Sequence, residues 1–221
     1  MSKTNIYCLP GNDAAAFAAR FLEDSGIPVS RRISPEVTHV LCPVPTRVSV
    51  DAPAGVTVIG GNIAGGIDLL KDPFYLAENA AITARCAISL IDRELKGLTV
   101  LILGWGRIGK CLGKFLKDTG AEVTIAARKA EDVAMIRALG YCGIFIKDAS
   151  PDGFGAVLNT VPAMVLDAHG ADCLLMELAS TPGITGAHIL DARGLPGKCA
   201  PEESGRLIAT TILRLLKEER K

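Results

Sequence analysis

The chain has no excess of either charge. Its 24 lysines and arginines balance 24 aspartates and glutamates, and no long block of one sign occurs. That argues against nucleic acid or an anionic membrane surface as a partner, while a small anionic substrate needs only a local cluster. No apolar run approaches the ~18 residues of a membrane span, and the start lacks a basic segment followed by a long apolar core. A cytoplasmic protein is expected. The 7 cysteines (8, 42, 86, 111, 142, 173 and 199) are odd in number and contain no Cys-x-x-Cys pair. This excludes a disulfide framework and points to reduced thiols used as small apolar residues. His39, His169 and His188 stand alone, without the carboxylate spacing of a metal site or a relay. No metal cluster is expected, and no general base can be named.

What is present is concentrated in Leu98 to Lys129. The apolar run Val100 to Leu103 leads into Gly104-Trp105-Gly106-Arg107-Ile108-Gly109, and Ile108, Cys111, Leu112, Phe115 and Leu116 then recur on one helical face. A second β-rich run covers Val123 to Ala127, so the stretch predicts a βαβ unit. Gly104 suits the tight turn, Gly106 lets the backbone approach a pyrophosphate, and Gly109 lets the helix pack on the strand. The helix N-terminus offers unpaired N–H groups and the positive end of its dipole to phosphates. The second strand ends Ala127-Arg128-Lys129, with no carboxylate before Glu131. The acid that would hold the ribose hydroxyls of NAD is missing, and the two cations suit a 2′-phosphate. NADP is therefore the expected cofactor, with NAD as the alternative.

Around this unit the chain divides into a small α/β domain at 1–79 and an NADP-binding domain at 80–221. A helix at 80–96 connects them, and Gly60-Gly61-Asn62 with Gly65-Gly66 forms a joint. One continuous sheet with a loop at Gly60 to Gly66 is the alternative. Further strands are read at Ala156 to Thr160, Leu174 to Ala179 and Ile189 to Ala192, each followed by a proline-containing loop. Ligands of open parallel sheets sit outside the carboxyl ends of the strands, so Thr160, Val161, Pro162, Ala179 and Ser180 join the cofactor candidates. The hydroxyls of Thr160 and Ser180 are placed to touch cofactor or substrate. Arg85, Arg193 and Lys198, at expected helix starts or strand ends, are with Ser180 the substrate candidates, Lys198 being presented by a Leu195-Pro196-Gly197-Lys198 loop. An amphipathic helix from Pro201 closes the chain on a packed core.

The stretch Leu103 to Gly109, Ala127-Arg128-Lys129, Asn159 to Leu166, Leu178 to Gly183 and Gly194 to Pro201 together resemble the A subunit of dipicolinate synthase, with distant similarity to D-2-hydroxyacid dehydrogenases. The resemblance implies a Rossmann NAD(P)-binding domain preceded by a small, shortened flavodoxin-like α/β domain. It also implies an NADP-dependent oxidoreductase that works with a B subunit during sporulation and oxidises dihydrodipicolinate to dipicolinate. A homo-oligomer, a dimer, is expected as well. Where that family carries Pro-Thr-x-Glu-Gly, this chain has Ile82-Thr83-Ala84-Arg85-Cys86, and its first domain is shorter. A non-catalytic NADP-binding subunit or regulator, or a dehydrogenase of another small carboxylate, therefore stand as alternatives.

Overall fold

The computed structural model describes residues 4–47 and 50–218. Near the N-terminus, Ile6–Cys8 (β1), Val29–Ser30 (β2), His39–Leu41 (β3), Thr57–Gly60 (β4) and Ile67–Asp68 (β5) form one sheet in the order β2-β1-β3-β4-β5. Every pairing in it is parallel. This is the flavodoxin-like strand order. The helix Asp13–Asp24 (α1) starts at Asn12, whose side chain accepts from the N–H of Ala15. β2 and β5 are two-residue edge strands, too short for any periodicity to be read. The glycine-rich stretch expected as a joint is instead a link inside this sheet, because Ile59 pairs with Ile67 on either side of it. Gly66 has φ +99°, and a Cβ there would lie 2.3 Å from the Val58 carbonyl oxygen.

The connecting helix is Pro73–Ser89 (α2), displaced toward the N-terminus at both ends relative to the expected 80–96. Asp72 stands before Pro73 and accepts from the N–H of Tyr75 at 2.7 Å, so a side-chain cap and a proline in the first turn fix the start. At the other end the Ser89 hydroxyl donates to the Cys86 carbonyl, supplying one of the carbonyls a helix terminus leaves unpaired.

The next strands and helices are Thr99–Leu103 (β6), Arg107–Asp118 (α3), Glu122–Ala127 (β7), Ala130–Ala138 (α4), Cys142–Phe145 (β8) and Ala156–Asn159 (β9). Leu166–Asp167 (β10), Leu174–Glu177 (β11), Ile184–Thr185 (β12) and Ile189–Asp191 (β13) follow. β10 and β12 make a separate two-stranded piece that brings Leu166 and Ile184 to the core residues Leu101, Leu103, Val157 and Leu175. The others form a six-stranded parallel sheet in the order β13-β11-β9-β6-β7-β8. Counted along the chain, that order is 3-2-1-4-5-6, the Rossmann order, when read from β8. Val100 to Leu103, Val157, Leu158, Leu175 and Met176 are buried, which is why these strands read as unbroken apolar runs and not as alternating ones.

A short helix, Leu195–Cys199 (α5), replaces the expected Leu195 to Lys198 loop and is followed by Pro201–Glu218 (α6). α6 packs on α1 so closely that a Cβ at Gly205 would meet the Phe17 Cβ at 2.5 Å and the Ala14 carbonyl oxygen at 2.7 Å. The Arg206 guanidinium lies 4.4 Å from the Phe21 ring centroid. The chain accordingly forms one compact unit from Met1–Ile82 with Pro196–Lys221 and a second from Thr83–Leu195. This corrects the expected boundary, which assigned everything after residue 79 to the nucleotide-binding domain. The small side chains Ala14 and Ala18 of α1 admit α6 at close range, a tertiary preference that helical periodicity does not encode.

Candidate functional site

The site belongs to the second unit, at the carboxyl edge of its sheet. Backbone register aligns Ala126, Leu103, Asn159, Glu177 and Asp191 across five neighbouring strands. The segments that follow these residues therefore emerge side by side. They carry Ala127, Arg128 and Lys129 after β7, Gly104 to Gly109 after β6, Thr160, Val161 and Pro162 after β9, and Ala179 and Ser180 after β11. The reversal of strand order falls between β6 and β9, the position where open α/β sheets take their ligands.

The glycines of the turn have distinct environments. Gly104 has φ +106°, and a Cβ there would lie 2.5 Å from the Thr160 hydroxyl and 2.8 Å from Val161 Cγ2. At Gly109 a Cβ would lie 2.1 Å from the Gly104 carbonyl oxygen, so the turn and the helix could not close up. Both are demanded by the protein itself. Gly106 differs: a Cβ there would meet no atom within 4 Å. It is also the N-cap of α3, and no side chain caps the helix. The first N–H groups of α3 thus face outward beside open space, with Arg107 exposed and Trp105 and Ile108 half-buried.

Beyond β7, Lys129 pairs with Glu131 at 3.1 Å. Arg128 is exposed and has no ion-pair partner among the described residues. Thr160 is placed at the turn, but its hydroxyl donates to the Leu103 carbonyl at 2.8 Å while its N–H donates to the same oxygen at 2.9 Å. These two bonds tie β9 to β6 and leave the hydroxyl oxygen able to accept.

The residue that organises the far half of the edge is one that motif reading misses. Glu177 is only 3% exposed and Asn159 is fully buried. One oxygen of Glu177 accepts from the Ala179 N–H at 2.9 Å and the other from the Gly183 N–H at 2.7 Å. The Asn159 amide donates to both oxygens, at 2.9 and 3.0 Å, and to the Val161 carbonyl, while Asn159 Oδ1 accepts from the Val161 N–H. A Cβ at Gly183 would lie 2.3 Å from the Ala163 carbonyl oxygen and 2.6 Å from Asn159 Nδ2. One buried carboxylate and one amide therefore hold the segments after β9 and β11 together. The signal was visible as a lone acid in the apolar stretch Leu174-Leu175-Met176-Glu177-Leu178-Ala179.

The substrate candidates lie on different elements. Ser180 is exposed just beyond β11. Arg193 is bound by Asp191 through two contacts, at 2.8 and 2.6 Å, and that pairing raises its guanidinium further above its ordinary value. Arg85 lies on α2, near the helix end and not its start, with its guanidinium 5.9 Å from the Phe115 ring centroid. Lys198 is exposed on α5, in the segment grouped with the first unit. Among the described residues no cluster of histidine, cysteine and carboxylate side chains could hold a metal ion, and no helix is long and apolar enough to cross a membrane.

No family model matches the chain. Over 152 residues it is 31% identical to the A subunit of dipicolinate synthase from Bacillus subtilis (strain 168), an alignment covering 62% of this chain and 51% of that one. The chain resembles the dipicolinate synthase A chain. It spans about half the length of the curated relative it matches. The crystal structure of the same subunit type from Bacillus halodurans superposes with a TM-score of 0.79 at 22% identity, over 97% of this chain and 98% of the other. A transhydrogenase from Sinorhizobium meliloti superposes with a TM-score of 0.64 at 12% identity, over 97% and 92% of the two chains. At such identities the structural likeness speaks to the fold alone.

Proposed function

We propose that the chain binds NADP(H) across the Gly104 to Gly109 turn and works as a dehydrogenase of the dipicolinate synthase type, oxidising dihydrodipicolinate to dipicolinate. The observation that carries the reading is Gly106: open space in front of it, uncapped N–H groups behind it, and a location at the strand-order reversal. A diphosphate fits such a cradle, since the turn supplies donors and no side chain competes for them. Arg128 would bind the 2′-phosphate through paired hydrogen bonds. When bound, the nicotinamide supplies the hydride acceptor.

The chain's own tasks are to bind, orient and exclude water. The Asn159–Glu177 pair keeps the backbone after β9 and β11 in fixed positions beside the turn, so contacts to the ring end of the cofactor need little ordering at the moment of binding. Aromatisation of the dihydropyridine provides driving force for hydride loss, which leaves placement of two substrate carboxylates as the main demand on the protein. The similarity to the A chain of dipicolinate synthase supports this substrate class and the participation of a B subunit. The test is NADPH formation, followed by the absorbance of the reduced cofactor, from freshly prepared dihydrodipicolinate. It is run with the chain alone and again in the presence of a B subunit. Turnover with NADP in either case supports the reading. Absence of turnover in both, with cofactor binding intact, overturns the enzymatic part and leaves a dinucleotide-binding subunit.

A further inference from the structure

The surface between α3 and α4 carries a second arrangement of charge and apolar area, on the same unit as the turn. Lys110, Lys114 and Lys117 fall at i, i+4 and i+7 of α3 and so line one edge of that helix over about 10 Å, at the 1.5 Å rise per residue. Across from them, Met135 is 54% exposed and Leu139 is 53% exposed. With Trp105, Asp118 and Tyr141 these residues line a groove of about 690 Å3. The Trp105 and Tyr141 rings meet edge to face with centroids 6.1 Å apart. Lys110 Nζ is 5.5 Å from the Trp105 ring centroid and Lys117 Nζ is 4.5 Å from that of Tyr141.

These features specify a ligand class. Lys114 pairs with Asp118, and Lys117 donates to the Gly140 carbonyl at 2.9 Å, yet three ammoniums face this one carboxylate and the groove keeps positive charge. A merely solvated lysine face would not have two large apolar side chains left more than half exposed opposite it, with two half-buried aromatic rings lining the same groove. The volume lies within the ~300–1,000 Å3 of small-molecule sites. We propose that this groove binds a small planar aromatic anion, its ring laid against Trp105 and Tyr141 and its acidic group held by Lys110 and Lys114.

The test uses 2-naphthoate as the probe, with the full chain and no dinucleotide, read by calorimetry and by the emission of Trp105, the single tryptophan of the sequence. Saturable binding with quenching is expected. Lys110→Glu combined with Lys114→Glu should weaken it at least tenfold, Met135→Ala a few-fold, and 2-naphthalenemethanol, with the same ring and no charge, should bind at least tenfold more weakly. Gly106→Val, altered only at the glycine turn, should bind the probe like the parent, which separates this site from the dinucleotide reading. Running 1-naphthyl phosphate in parallel distinguishes a phosphorylated from a carboxylated natural ligand, and tight binding of either supports the site. The proposal is overturned by absence of saturable binding, by parent-like affinity in both the lysine and Met135 variants, or by loss of binding in Gly106→Val.

Discussion

Replacing Glu177 by glutamine changes one oxygen to an NH2 group and almost nothing in shape, so its effect isolates the hydrogen bonds. In the parent, each carboxylate oxygen accepts from a different backbone N–H, of Ala179 or of Gly183, and both accept from the Asn159 amide. Whichever way a glutamine is turned, its NH2 faces one of those N–H groups and the Asn159 NH2 as well. Flipping Asn159 gives no escape, because its Oδ1 already accepts from the Val161 N–H. One buried backbone donor is stranded, and the surviving bonds lose their charge assistance. With about 1.5–3 kcal/mol for a hydrogen bond to a charged group and about 1–3 for a stranded donor, the loss comes to about 2.5–6 kcal/mol. A typical substitution costs about 1 kcal/mol. Urea unfolding read by linear extrapolation measures the difference, and the Gly183 or Ala179 amide should also exchange faster with deuterated water. A loss below about 1 kcal/mol with an unchanged urea dependence would show that this carboxylate does not organise the edge.

NADP is expected to bind at least tenfold more tightly than NAD, a difference of about 1.4 kcal/mol, and Arg128→Ala should bring the two together. Calorimetry with both cofactors checks this, and equal affinities in the parent refute it. Gly106→Val should melt like the parent while losing dinucleotide binding, whereas Gly109→Ala should lower the melting temperature, since its Cβ would lie 2.1 Å from the Gly104 carbonyl oxygen. Similar melting temperatures for the two variants would contradict the geometry. At Asp72, burial alone would raise the carboxyl, but the Tyr75 N–H and the Arg214 guanidinium, 2.5 Å away, outweigh it and hold the group below its ordinary value. Its contribution is then present above the unfolded value of about 3.9 and fades as pH falls through the lowered folded value. Asp72→Asn should therefore cost about 1–3 kcal/mol at neutral pH and progressively less below about pH 4; a penalty that stays constant into acid would be wrong for this mechanism.

The β6, α3 and β7 unit was legible because every level agrees there. A strand covered on both faces is apolar throughout, the helix has one apolar face, and the glycines fall where the turn needs them. β8 was not legible, because Gly143 interrupts its apolar run; α4 passes close there, and a Cβ would be crowded at 3.0 Å from the Val133 carbonyl oxygen. α2 was placed late because the alanine-rich stretch after residue 80 carries the stronger pattern, while the true start is set by a single capping acid before a proline. At the site, the sequence exposed the groups that show motif spacing and concealed Glu177, whose importance lies entirely in partners up to 18 residues away. Thr160 and Arg193 show what else spacing leaves out: their polar atoms also take local partners, the Leu103 carbonyl and the Asp191 carboxylate.

The return of α6 to α1 has a consequence for how the polypeptide is made. The second unit is encoded as one uninterrupted segment, Thr83–Leu195, whereas the first requires segments from both sides of it. During synthesis the usual order of N-terminal part first is therefore inverted. The Rossmann sheet can close while α1 still waits, with Ala14, Phe17 and Ala18 uncovered, for a helix that is made after that sheet. A chain stopped just short of Pro201 would deliver an intact nucleotide turn attached to a half-built neighbour, and the exposed flank of α1 is where such a fragment would be expected to stick to itself or be seized by a chaperone.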